Sequence, residues 1–131
     1  MENIKEFNNV SASFKKEDAQ LRKKGINTWN QIKALTDRDI FDLVGEGCGS
    51  SRNFRCIRCI ATFICDLDLQ QDEAALLMHS GIPSVKALAN SYPEAIHTKV
   101  TRLETILGTS ETPKTNLKKI IQWINKAKDK I

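Results

Sequence analysis

Leu21-Arg22-Lys23-Lys24-Gly25-Ile26 returns later in the chain as Leu77-Met78-His79-Ser80-Gly81-Ile82, at a constant offset of 56 residues. In both copies a run of helix-forming residues stops at a glycine, and an isoleucine opens the next element. Glycine at that place supplies the left-handed backbone that ends a helix abruptly. A helix stop repeated at fixed spacing predicts two equivalent helical hairpins.

Residues outside these stretches keep the same register. Thr28 and Ser84 are the expected N-caps of the following helices, with Gln31 as the capping-box partner of Thr28. Trp29 and Ile32 match Val85 and Leu88, and Ile40 and Val44 match Ile96 and Val100, all at 56. Thr36 with Asp39, and Ser91-Tyr92-Pro93-Glu94, are further capping signatures, the proline sitting in the first turn where helices accept it. The last helix of each half is offset by 63 instead: Asn53, Phe54, Ile57 and Ile60 match Asn116, Leu117, Ile120 and Trp123. The extra length falls between Val100 and Asn116, where Leu103, Ile106 and Leu107 predict a longer helix before a Gly108-to-Pro113 loop.

The expected fold is therefore all-α: two tandem helix-hairpin-helix, sterile-alpha-motif-like repeats, residues 17–66 and 67–131, packed into one compact body. Residues 1–16 precede them. Ile4, Phe7, Val10 and Phe14 lie three to four apart and predict a short amphipathic helix there, weakened by Asn8, Asn9, Ser11 and Ser13. The helix from Asn53 to about Cys65 is apolar on nearly every side, which places it at the centre of that body with its Cys56–Cys59–Phe63 face covered.

Composition narrows the function only a little. The 131 residues are 40% apolar and 27% charged, ordinary for a globular protein. The densest apolar run, Cys56 to Leu69, is broken by Arg58, Asp66 and Asp68, so no membrane partner is expected. The first twenty residues lack the apolar core of a signal peptide, and a cytoplasmic protein is the expectation. Net charge is +4, spread evenly over the halves, which permits nucleic-acid binding without arguing for it.

The pattern of helix, Gly-Ile turn, helix, short helix, glycine-containing loop and helix resembles the helix-hairpin-helix superfamily. More narrowly, Glu73-Ala74-Ala75-Leu76-Leu77-Met78-His79-Ser80-Gly81-Ile82-Pro83-Ser84 and Ile121-Gln122-Trp123-Ile124 are similar to a bacterial family known as domain of unknown function 4332. That family carries no activity to transfer. The superfamily resemblance implies non-sequence-specific binding of duplex DNA, through backbone N–H groups at a glycine–apolar–glycine turn.

Gly25-Ile26 and Gly81-Ile82 keep two members of that turn; Asn27 and Pro83 stand in the third place. Pro83 removes a donor, so the candidate nucleic-acid site is the first hairpin: Lys23, Lys24, Gly25 and Asn27, joined by Arg52 and Arg55 after the glycine loop. The alternative is a protein-interaction or self-assembly module, binding a protein partner or a second copy through the apolar Cys56, Cys59 and Phe63 face together with the unmatched Leu103–Pro113 region. Neither reading involves catalysis, a metal or a cofactor. The C-x-x-C of Cys56 and Cys59 falls mid-helix among isoleucines, where cysteine behaves as a small hydrophobe. Trp29 and Trp123 lie on core stripes, leaving Tyr92 as the aromatic expected at the surface.

Overall fold

In the computed structural model the described residues are 5–8, 10–107 and 116–131. Among them the regular structure is helical: α1 (Lys15–Lys23), α2 (Trp29–Lys33), α3 (Asp37–Glu46), α4 (Ser51–Leu67), α5 (Gln71–His79), α6 (Val85–Ala89), α7 (Pro93–Leu107) and α8 (Leu117–Lys128). The chain divides into two compact units, Met1–Cys65 and Asp66–Ile131. Each is taken by itself.

The glycine stops are alike down to the hydrogen bonds. Gly25 has φ +79° and Gly81 has φ +90°, and a Cβ on either would meet nothing within 4 Å. Backbone conformation, not space, therefore requires glycine there. In the first unit Ile26 N–H donates to Leu21 O at 3.0 Å and Gly25 N–H to Arg22 O at 3.0 Å. In the second, Ile82 N–H donates to Leu77 O at 3.1 Å and Gly81 N–H to Met78 O at 3.0 Å. Both turns are Schellman motifs, which satisfy carbonyls a helix end would otherwise leave open.

The first unit starts with a departure from the sequence expectation. Residues 5–8 are extended, not helical, and Glu6 forms an antiparallel bridge with Thr28. Phe7 N–H donates to Asn27 O at 2.8 Å, and Trp29 N–H donates to Lys5 O at 2.7 Å. Phe7 is buried with its ring edge-on to Trp29 at 4.8 Å. Arg22 holds the outside of this clip, donating to Phe7 O at 2.5 Å and lying 5.1 Å over the ring. The apolar spacing of Phe7 and Phe14 was real, since both are buried. The backbone, however, finds better partners across the Asn27–Trp29 edge than within a helix of asparagines and serines. Ile4 lies outside the described residues; only Ala12–Phe14 form a short 3-10 turn before α1.

Two capping boxes open α2 and α3 as the sequence predicts, Thr28 with Gln31 and Thr36 with Asp39. The glycine loop before α4 packs on α1. A Cβ on Gly47 would come within 2.6 Å of the Gln20 side chain, and one on Gly49 within 2.6 Å of the Phe54 ring. Gln20 bridges the loop by donating to Leu43 O and accepting from Gly49 N–H. Glu17, only 2% exposed, accepts from Ser50 N–H at 2.9 Å and Asn53 Nδ2 at 3.2 Å.

In the second unit α8 packs on α6 and α7, and α5 on α7. Ser84 caps α6 and Asn116 caps α8. The Ser91 hydroxyl instead donates to Ala87 O at 2.7 Å, inside the preceding turn. Glu73 joins two elements: it accepts from Gln70 N–H at the start of α5 and pairs with Lys119 of α8 at 2.6 Å. The 63-residue offset holds in the core, where Ile57, Ile60, Ala61 and Ile64 match Ile120, Trp123, Ile124 and Ala127, all buried. It fails at Phe54 and Leu117, buried and exposed respectively. The reason is that α4 begins a turn earlier, with Ser50 accepting from Asn53 N–H as its cap. The Gly108-to-Pro113 loop lies outside the described residues.

Candidate functional site

The first hairpin brings together Lys23, Lys24, Gly25 and Asn27, all exposed. Its backbone donors, however, are already engaged. Asn27 N–H donates to Gln31 Oε1 at 2.8 Å and Thr28 N–H to the same oxygen at 3.2 Å. Trp29 N–H is taken by Lys5 O, and Gln31 N–H by the Thr28 hydroxyl at 3.1 Å. A phosphate arriving here would have to displace the capping box and the N-terminal clip. The neighbouring charge also opposes it. Lys24 pairs with Glu46 at 2.5 Å, and the shallow depression beside it is lined by Asp39, Asp42 and Glu46.

Arg52 and Arg55 are exposed near the start of α4. The helix end beside them is not an open anion site, because the Glu17 carboxylate occupies the Ser50 donor. The loop glycines serve close packing on Gln20 and Phe54. Lys23, Arg52 and Arg55 are thus exposed cations without the backbone cradle expected from the sequence.

The Cys56–Cys59–Phe63 face is not an open surface. Phe63 has 0% exposure, and both cysteines are half-buried. Burial, and then the neighbouring Cys56, push the Cys59 thiol from 9.0 up to about 12, so it stays protonated at neutral pH. Among the described residues no three His, Cys, Asp or Glu side chains group closely enough to hold a metal ion. Nor is any helix there long and apolar enough to cross a membrane.

A groove of about 520 Å³ in the second unit was not singled out by the sequence. Ala89 and the buried Ile124 lie in its lining with Pro93 and Ser91, and Asn90, Tyr92, Ile121, Asn125 and Lys128 are exposed there. Tyr92 is 78% exposed and Ile121 41%. The turn between α6 and α7 holds Tyr92 out, because Ser91 is fixed to Ala87 O and Pro93 starts the next helix. Ile121 falls off the core stripe of α8, since Ile120, Trp123, Ile124 and Ala127 already take the inner face. The groove lining contains one cation and no acid. The signal was present in the sequence as an isoleucine beside a complete apolar stripe.

A model of the family described as a domain of unknown function (DUF4332) matches residues 11–130. The chain belongs to this family. No curated protein and no solved structure matches it.

Proposed function

We propose that this DUF4332 chain is a non-enzymatic binding module that takes a segment of a protein in the groove between the α6–α7 turn and α8. The observation that carries this reading is the pair Tyr92 and Ile121, left exposed at a groove of mixed apolar and polar lining large enough for bulky side chains. Tyrosine so placed contributes contact area at small entropic cost. Lys128 and the other α8 lysines favour a segment that mixes apolar residues with acids.

A displayed library of random peptides, selected against the full chain, tests it. Expected is enrichment of peptides combining a bulky apolar residue with Asp or Glu, whose binding is lost in Ile121→Glu. No enrichment, or binding that ignores Ile121→Glu, contradicts the reading.

Duplex DNA remains a second reading, favoured by exposed Lys23, Arg52 and Arg55, which form no ion pair among the described residues. It requires salt-sensitive binding that Arg52→Glu with Arg55→Glu abolishes. Absence of a mobility shift at low salt removes it.

A further inference from the structure

Phe41 is another large apolar side chain the core does not use, as are Ile106 and Ile131. On α3 the buried positions are Ile40 and Leu43, and Phe41 points out at 71% exposure with the Arg38 guanidinium 5.8 Å over its ring. Around it α3 carries Asp37, Asp39, Asp42 and Glu46 against the single cation Arg38. The groove helix has the opposite character: α8 carries Lys118, Lys119, Lys126 and Lys128 and no acid. One surface is an aromatic knob among carboxylates; the other is a groove of mixed lining on a lysine-bearing helix, with Lys128 at the groove itself.

We propose that the occupant of the groove is a second copy of this chain, with Phe41 of one copy seated against Tyr92 and Ile121 of the next. This deepens the reading of the groove as a protein-binding surface and rests on it. Charge complementarity selects the occupant. Three of the α3 acids are paired within the chain, Asp37 to Arg58, Asp42 to Arg38 and Glu46 to Lys24, and Lys119 is paired to Glu73. Most of these side chains are well exposed, and surface pairs of this kind stabilise by less than about 1 kcal/mol, so they exchange readily for pairs across an interface. Asp39 and the lysines Lys118, Lys126 and Lys128 enter without an ion pair to break among the described residues. Neither surface is used up within its own copy, because Phe41, Tyr92 and Ile121 are all exposed in the single chain. The two surfaces differ, so each copy offers both a knob and a groove, and copies joined through them close into a ring or extend head to tail according to the rotation between them.

Sedimentation velocity on the full chain tests this with two variants, Phe41→Glu and Ile121→Glu. The wild type is expected to form species that grow beyond a dimer with concentration. Each variant alone should be monomeric, its self-affinity reduced roughly tenfold or more, as for loss of a central interface residue. Mixed in equal amounts, the two should form a one-to-one heterodimer, because each keeps the surface the other lacks. Thermal melts confirm that both are folded; should either fail, Asp42→Lys and Lys128→Glu replace them in the same design. A wild type that stays monomeric, or a mixture that stays monomeric, overturns the proposal. Monomeric wild type together with groove-dependent peptide selection overturns self-assembly alone and leaves the binding reading intact. Failure of both removes the groove as well.

Discussion

Glycine has two separate tasks in this chain, and the residue scale shows them apart. At Gly25 and Gly81 the space for a Cβ is open and φ is positive. Alanine there should cost about 1 kcal/mol each through backbone strain, with similar losses in the two units. At Gly49 φ is not the issue; a Cβ would meet the Phe54 ring at 2.6 Å. Gly49→Ala should cost roughly 1–3 kcal/mol, as overpacking does, and Phe54→Leu should relieve part of it. Denaturant unfolding of the three variants and the double mutant checks both statements. Glu17 is the residue whose role was least visible in the sequence, where it reads only as an acid in the first turn of a helix. Its carboxylate is buried and holds the Ser50 donor and the Asn53 amide. Removing it in Glu17→Ala should cost roughly 1 kcal/mol by deleting the hydrogen bonds to the part-buried Ser50 N–H and Asn53 amide. The thiols separate as well: Cys48 is exposed, while Cys59 is held protonated by burial. At pH 8 iodoacetamide should therefore modify Cys48 well before Cys59, as mass spectrometry of timed samples would show.

At the scale of elements, the helices and their caps were legible because their signals are local. A Thr-x-x-Gln, a Thr-x-x-Asp or a Gly-Ile pair acts over four to six residues, and those at Thr28, Thr36, Gly25 and Gly81 took the predicted form. Ser91 did not follow its capping expectation, because a carbonyl four residues back was closer to hand. Residues 5–8 were misread for a related reason. Apolar spacing reports which side chains are buried, whereas the backbone's partners at Asn27 and Trp29 are some twenty residues away. The same long-range pairing, together with the side chain of Gln31, engages the backbone donors at the candidate phosphate site. Gln31→Ala frees the Asn27 and Thr28 donors and should destabilise the chain by about 1 kcal/mol. The Glu73–Lys119 pair makes a pH prediction. The hydrogen bond that Lys119 donates to Glu73 is the main cause holding its ammonium above the ordinary value of 10.5. A raised folded value means the contribution is complete below pH 10.5 and fades as pH rises past it. Because Lys119 is well exposed the loss should stay below about 1 kcal/mol. Melts of the wild type and Lys119→Met should differ at pH 8 and converge toward pH 12.

For the whole molecule, sequence repetition carried the all-helical architecture and its two equivalent glycine stops. Comparing the two hairpins favoured the first, since Asn27 can donate where Pro83 cannot. Folding spends that donor on Gln31 Oε1. The surfaces left over are those where apolar residues exceed what a core stripe needs: Phe41 beside Ile40, and Ile121 beside Ile120. Such surplus was readable in the sequence; the turn that presents Tyr92 beside Ile121 was not, because it depends on α6 and α8 meeting. The most direct measurement is amide hydrogen exchange on the full chain at low and high protein concentration. The account predicts protection that rises with concentration in α3 and α8, with no change across Lys24 to Thr28. Exchange independent of concentration, or protection rising at the first hairpin instead, would contradict it.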